Sequence, residues 1–90
     1  MKKVKEHDPL LMGERIRRRR EELKLTREQM AELVGVSTKF LRDVEYGSKG
    51  ISLKKFTRLI QVLDASADYL LLGDISSKGQ LICEVKWYIK

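Results

Sequence analysis

Arg27–Tyr46 reads REQMAELVGVSTKFLRDVEY. Two stretches with helical spacing meet in it across only Gly35-Val36-Ser37. In the first, Met30, Ala31, Leu33 and Val34 form an apolar stripe, and in the second Phe40, Leu41 and Val44 recur at helical intervals. Thr26 is a good N-cap for the first helix, and Gln29 three residues later completes a capping-box pattern. Ser37 is an N-cap for the second. Gly35 is the stop signal between them, because a tight turn favours a residue tolerant of positive φ. So short a connection forces the two helices to cross steeply and touch closely. The residue facing the crossing must be small, and Ala31 is. Inward positions must be apolar, and Met30, Val34, Val36, Leu41 and Val44 all are. The outward positions of the second helix are polar: Ser37, Thr38, Lys39, Arg42 and Asp43.

Outward from this corner, the same reading gives three more helices. Pro9 suits the first turn of a helix running to Leu23, with Leu11, Met12, Ile16 and Leu23 as a thin apolar face and arginine at every position from 17 to 20. Gly47 ends the third helix. Ser52 caps a fourth, in which Leu53, Phe56, Leu59, Ile60 and Leu63 keep a period of 3.6. Ser66 caps a short fifth, Ala67–Leu72, closed by Gly73. Met1–Asp8 reads as a flexible basic arm. The tail is ambiguous: Leu81, Ile82, Val85, Tyr88 and Ile89 fit one helical face, while Leu81, Cys83, Val85, Trp87 and Ile89 alternate as in a strand. A helix is favoured, because everything before it is helical. The expectation is an all-α chain, with an arm at residues 1–8, a five-helix domain at 9–73, and a C-terminal segment at 74–90. An apolar stripe at that end suggests a dimer surface shared with the fifth helix, or packing on the same chain.

Ninety residues fit one domain with one modest core. Apolar residues make up 42% of the chain, too many for compositional disorder. The net charge is +6 and is uneven. Residues 1–58 hold sixteen Lys/Arg against nine Asp/Glu, and residues 59–90 hold three against four. A basic domain of this size meets a polyanion or is simply soluble and basic, and a partner that wants positive charge would meet the first two-thirds. One cysteine, Cys83, makes no intrachain disulfide, and no Cys/His cluster exists for a metal. The N-terminus does not read as a signal peptide, and no apolar run is long enough to span a membrane. A reducing cytoplasm is the expected compartment. No nucleophile–base pair is visible, and the only histidine, His7, lies in the arm, so neither an enzyme nor a cofactor is expected.

Three fragments, GERIRRRREELKLTREQMAELVGVS (13–37), FLRDVEYG (40–47) and SADYLLLG (66–73), sit in an order and spacing that resembles the lambda-repressor-like (XRE-type) helix-turn-helix regulators. The resemblance runs from about Met12 to Gly73 and rests on the fragments jointly. It implies a compact five-helix domain that binds double-stranded DNA at a palindromic operator as a homodimer, and so a transcriptional regulator, first of all a repressor. The helix of about Ser37–Tyr46 would lie in the major groove. Ser37 would meet a phosphate. Thr38 and Lys39 would point at base edges, and Lys39 suits guanine O6/N7. Arg42 would meet a phosphate beside the groove. Asp43 would accept from cytosine N4 or reject wrong sequences by repulsion. Arg27 stands where the family most often has a phosphate-gripping glutamine. Ser48, Lys49, Gly50 and Lys54 surround the start of the fourth helix, where free amides and lysines suit phosphate. The alternatives are a protein-interaction module or an antitoxin-like subunit that reuses the fold.

Plainer readings apply to several residues. The run Arg17–Arg20 cannot all face one duplex, since four consecutive helical residues point four ways. By the resemblance, Arg20 pairs with Glu45 in a partly buried structural ion pair. Lys24 stands where the family often has glycine in a left-handed turn, at a steric cost of roughly 1 kcal/mol. Phe40 packs against the next helix or touches thymine methyls, with packing favoured. His7 and Cys83 are read as passive. Tyr69, Leu70 and Leu71 are read as core and interface.

Overall fold

The computed structural model describes residues 6–73, which form five helices: α1 (Pro9–Glu22), α2 (Arg27–Val34), α3 (Thr38–Glu45), α4 (Leu53–Leu63) and α5 (Ala67–Leu72). Among the described residues there is no strand, so the all-α reading holds there. Residues 1–5 of the arm and the whole segment 74–90, with Cys83 and Trp87, lie outside the described residues.

The chain starts each helix with a side chain that accepts an otherwise orphaned amide. Asp8 takes the Leu10 N–H at 3.0 Å, so the residue read as the end of the arm in fact caps α1. Thr26 and Gln29 form the reciprocal box at 2.9 and 3.0 Å. Ser37, Ser52 and Ser66 cap α3, α4 and α5. The helix ends are as specific. Lys24 does adopt the left-handed region, at φ 61°. Asp64 ends α4 the same way at φ 52°, a conformation that aspartate tolerates better than most residues.

Each helix delivers apolar side chains to one core. Ile16, Met30, Val34, Leu41, Val44, Leu59, Leu63 and Leu70 are fully buried. α1 runs through the centre, packed on α3, α4 and α5, while α2 packs on α3 and α4. Four of the leucines at helical spacing lie outside this core. Leu11, Leu23, Leu33 and Leu53 are exposed, because they sit at the edge of the core-facing stripe or outside it. Phe40 packs at the margin of the core, as favoured, and so do Tyr69 and Leu71 beside the buried Leu70.

Two α1 arginines do unforeseen structural work. The Arg15 guanidinium donates to the Leu70 carbonyl at 3.2 Å, and Arg19 Nε donates to the Leu63 carbonyl at 2.8 Å. Both acceptors lie in the last turns of α5 and α4, where carbonyls lack helical partners and the dipole favours cations. Arg17 and Arg18 pair with Glu21 and Glu14 along the exposed face, in keeping with a solvated run.

Gly13 explains how closely α1 approaches α3. A methyl group there would collide with the backbone carbonyl oxygens of Val44 and Glu45. Alanine would raise helix propensity by about 1 kcal/mol, but backbone atoms cannot step aside as a flexible side chain can. Gly13→Ala is therefore expected to destabilise the domain by roughly 1–3 kcal/mol in thermal or urea melts. An unchanged or raised melting temperature would show that α1 has room to move.

Candidate nucleic-acid interface

The corner between α2 and α3 is made by backbone geometry. Gly35 sits at φ 89°, where its N–H and that of Val36 both donate to the Ala31 carbonyl, at 2.8 and 3.0 Å. Ala31 is buried in the crossing, as its small size required. A Cβ on Gly35 would stand 3.1 Å from Lys55 Nζ and 3.9 Å from an Arg58 nitrogen. Two cations of α4 thus gather at the turn. The sequence reading singled out their neighbour Lys54 and missed both, since helical spacing alone does not say which α4 lysine reaches the corner.

From this corner α3 presents its outer side. Ser37 is exposed; its oxygen accepts the Phe40 N–H at 3.0 Å, which leaves the hydroxyl proton free to donate. Thr38 is half-buried, and the Lys39 and Arg42 side chains are 73% and 46% exposed. Asp43 lies between those cations, only 16% exposed, with Lys39 Nζ at 3.8 Å and an Arg42 nitrogen at 3.6 Å. Pairs this long and this exposed contribute little to stability and open at little cost. They do keep the two cations near one another, with one formal positive charge left over.

Ser48, Lys49, Gly50 and Lys54 are all exposed. Ser48 donates both its N–H and its hydroxyl to the Asp43 carbonyl, at 2.8 and 3.1 Å. Its hydroxyl proton therefore serves to tie the loop back onto α3. Lys49 and Lys54 form no ion pair among the described residues.

Beneath α3 lies the Glu45 carboxylate, with none of its side chain exposed. Arg20 grips it at two points, Nε to Oε2 at 2.7 Å and Nη2 to Oε1 at 3.2 Å, and sends Nη1 to the Leu25 carbonyl at 2.9 Å. This is the pair expected from the resemblance. The position of Arg27 was not foreseen: its Nε also donates to Glu45 Oε1, at 3.0 Å, and its guanidinium lies 5.7 Å from the centre of the Tyr46 ring. Partial burial opposes the Arg27 charge. The hydrogen bond and charge of Glu45, with smaller help from Tyr46, outweigh it and hold the pKa above that of an ordinary arginine. Arg27 and Glu45 are eighteen residues apart, and no local pattern joins them.

A helix-turn-helix family model matches residues 16–70. Repressor protein C2 of Salmonella phage P22 is 39% identical over 66 residues, covering 73% of this chain and 31% of its own length. An uncharacterised HTH-type transcriptional regulator, YqaE of Bacillus subtilis (strain 168), is 31% identical over 68 residues, covering 76% of this chain and 59% of its own length. The chain thus spans less than two thirds of either curated relative. Among solved structures, the P22 c2 repressor in complex with a synthetic operator matches with a TM-score of 0.69 at 39% identity, over 71% of this chain and 97% of that one. The restriction-modification controller protein C.AhdI of Aeromonas hydrophila matches with a TM-score of 0.67 at 30% identity, over 71% and 97%. Its corner, caps and core, together with these matches, show that the chain belongs to the helix-turn-helix family, in the lambda-repressor-like (XRE-type) group.

Proposed function

We propose that the chain is a transcriptional regulator that binds double-stranded DNA by laying α3 in the major groove. The observation that carries this reading is the outer side of α3. Directly after a capped corner, Ser37, Thr38, Lys39, Arg42 and Asp43 are polar and reachable, and they sit on a helix whose inner side is locked into the core. The operator bound to the P22 c2 repressor supports the same reading for a chain this similar. Thr38 and Lys39 read base edges, with Lys39 addressing guanine. Asp43 restrains both neighbouring cations until they meet DNA, and selects against sequences that offer it no donor. Ser37, Arg42, Lys49, Lys54 and Arg27 meet phosphates, which fix register and set salt dependence. Ser48 contributes by holding the loop that carries Lys49. Repression by occupying a promoter follows most simply, and no catalytic role is assigned.

The active species in this reading is a homodimer on a palindromic operator, with recognition helices about 34 Å apart. An apolar hollow of about 660 Å³, lined in part by Met12, Ile51, Leu53, Phe56, Ile60 and Leu71, offers the surface for a second copy. Leu53 is 78% exposed at its edge, where a second copy would cover it. Such a regulator works in the cytoplasm; among the described residues no helix is long and apolar enough to cross a membrane.

Two experiments test this. Operator selection from random DNA, followed by titration of wild type and Lys39→Ala against single-base variants, should show discrimination falling by about 1–3 kcal/mol at one base pair per half-site. Affinity for unrelated DNA should change much less. No binding even at low salt would instead favour an interaction module. In sedimentation, wild type should run as a dimer and Leu53→Asp should shift toward monomer; a variant that dimerises as well as wild type moves the interface elsewhere.

A further inference from the structure

We propose that Glu45 is a positioning residue for a DNA phosphate, acting through Arg27. The proposal rests on the DNA-binding reading above and adds to it a part for a buried carboxylate that itself never reaches the duplex.

The stoichiometry of the cluster is its first support. One carboxylate serves two guanidiniums. Arg20 is used up inside the domain: it gives two nitrogens to Glu45 and the third to the Leu25 carbonyl, and its side chain is 8% exposed. Arg27 gives Glu45 only Nε, and its side chain is 25% exposed. The cluster therefore carries one positive charge in excess, and that excess sits on the arginine nearer solvent. If Glu45 faced Arg27 alone, it would cancel the charge a phosphate needs. With Arg20 already satisfying the carboxylate, Glu45 can orient Arg27 without neutralising it.

Geometry is the second support. A guanidinium is a planar fork, so fixing Nε fixes the plane in which the terminal nitrogens lie. The Tyr46 ring beside that plane further limits its swing. An arginine held in this way has already lost most of its rotamer freedom, and less is lost when a phosphate docks. The cluster also joins the helices that matter for docking: Arg20 in α1, Arg27 opening α2 and Glu45 closing α3. The phosphate hand is thus set in register with the helix that reads the bases.

Lysine separates this idea from a purely electrostatic one. It keeps the charge and three donors but lacks the rigid planar fork, so a bond to Glu45 fixes no plane in which further nitrogens face a phosphate. Arg27→Lys and Arg27→Gln should both bind operator about tenfold more weakly, and Arg27→Gln, which alone loses the charge, should also show a salt slope shallower by about one phosphate. Thermal melts without DNA should show both variants folded, because the Arg20–Glu45 pair remains. A DNA-free readout comes from the arginine side-chain N–H signals in NMR. Arg27 Nε–H should exchange with water markedly more slowly than that of the exposed Arg18, and Glu45→Gln, if it folds, should abolish the difference.

Arg27→Lys binding as tightly as wild type overturns the positioning role and leaves DNA binding intact. An Arg27 Nε–H that exchanges as fast as that of Arg18 also overturns it, whether or not DNA is present. Wild type that binds no DNA at low salt overturns the regulator reading, and the phosphate role with it.

Discussion

A single buried carboxylate sets how the first three helices meet. Glu45 would be costly to bury alone, since a charge inside a core of leucine, isoleucine and valine has lost its water. It is tolerable because the two-point grip of Arg20 and the single bond from Arg27 replace that water, and the remaining Arg20 nitrogen finds the Leu25 carbonyl. Among the described residues no buried side-chain nitrogen or oxygen lacks a partner. Such a cluster is no more stabilising than an apolar filling of equal volume. It is strict about geometry, however, because losing one partner of a buried pair costs roughly 3–5 kcal/mol. Alternative crossings of α1 and α3 would strand the charge.

That strictness is matched by two close approaches. Gly13 lets α1 lie against the last carbonyls of α3. At the other end of α3, Gly35 turns the chain within three residues and gives its N–H to the Ala31 carbonyl. α3 is thus pinned at its start by a left-handed glycine and at its end by a buried ion pair. Its inner residues, Leu41 and Val44, are fixed in the core. The outer residues are left to function, and only weak pairs with Asp43 restrain them.

Much of this was legible in the sequence because it is local. Thr26, Ser37, Ser52 and Ser66 announce their helices by residue type, and each caps the helix expected of it. Ala31 and Gly35 follow from the shortness of the turn. The Arg20–Glu45 pair became legible only through family resemblance. Long-range placements stayed hidden for a physical reason: where a long side chain ends depends on the packing of helices distant in sequence. Arg27 could not be traced to Glu45, nor Arg15 and Arg19 to the ends of α5 and α4, nor Lys55 to the corner. Ser48 shows the same limit, since its hydroxyl is spent on the Asp43 carbonyl within its own loop. Leu11, Leu33 and Leu53 fit helical periodicity yet lie outside, because a core of this size covers only part of each apolar stripe.

The most direct test of α3 as the helix that meets DNA is backbone NMR of the labelled chain during titration with its selected operator. Amide shifts should concentrate at Arg27, at Ser37–Asp43 and across Ser48–Lys54, with the inner core amides little changed. Shifts centred instead on α5 and the far side of α1, with Thr38 and Lys39 silent, would contradict a duplex lying against α3.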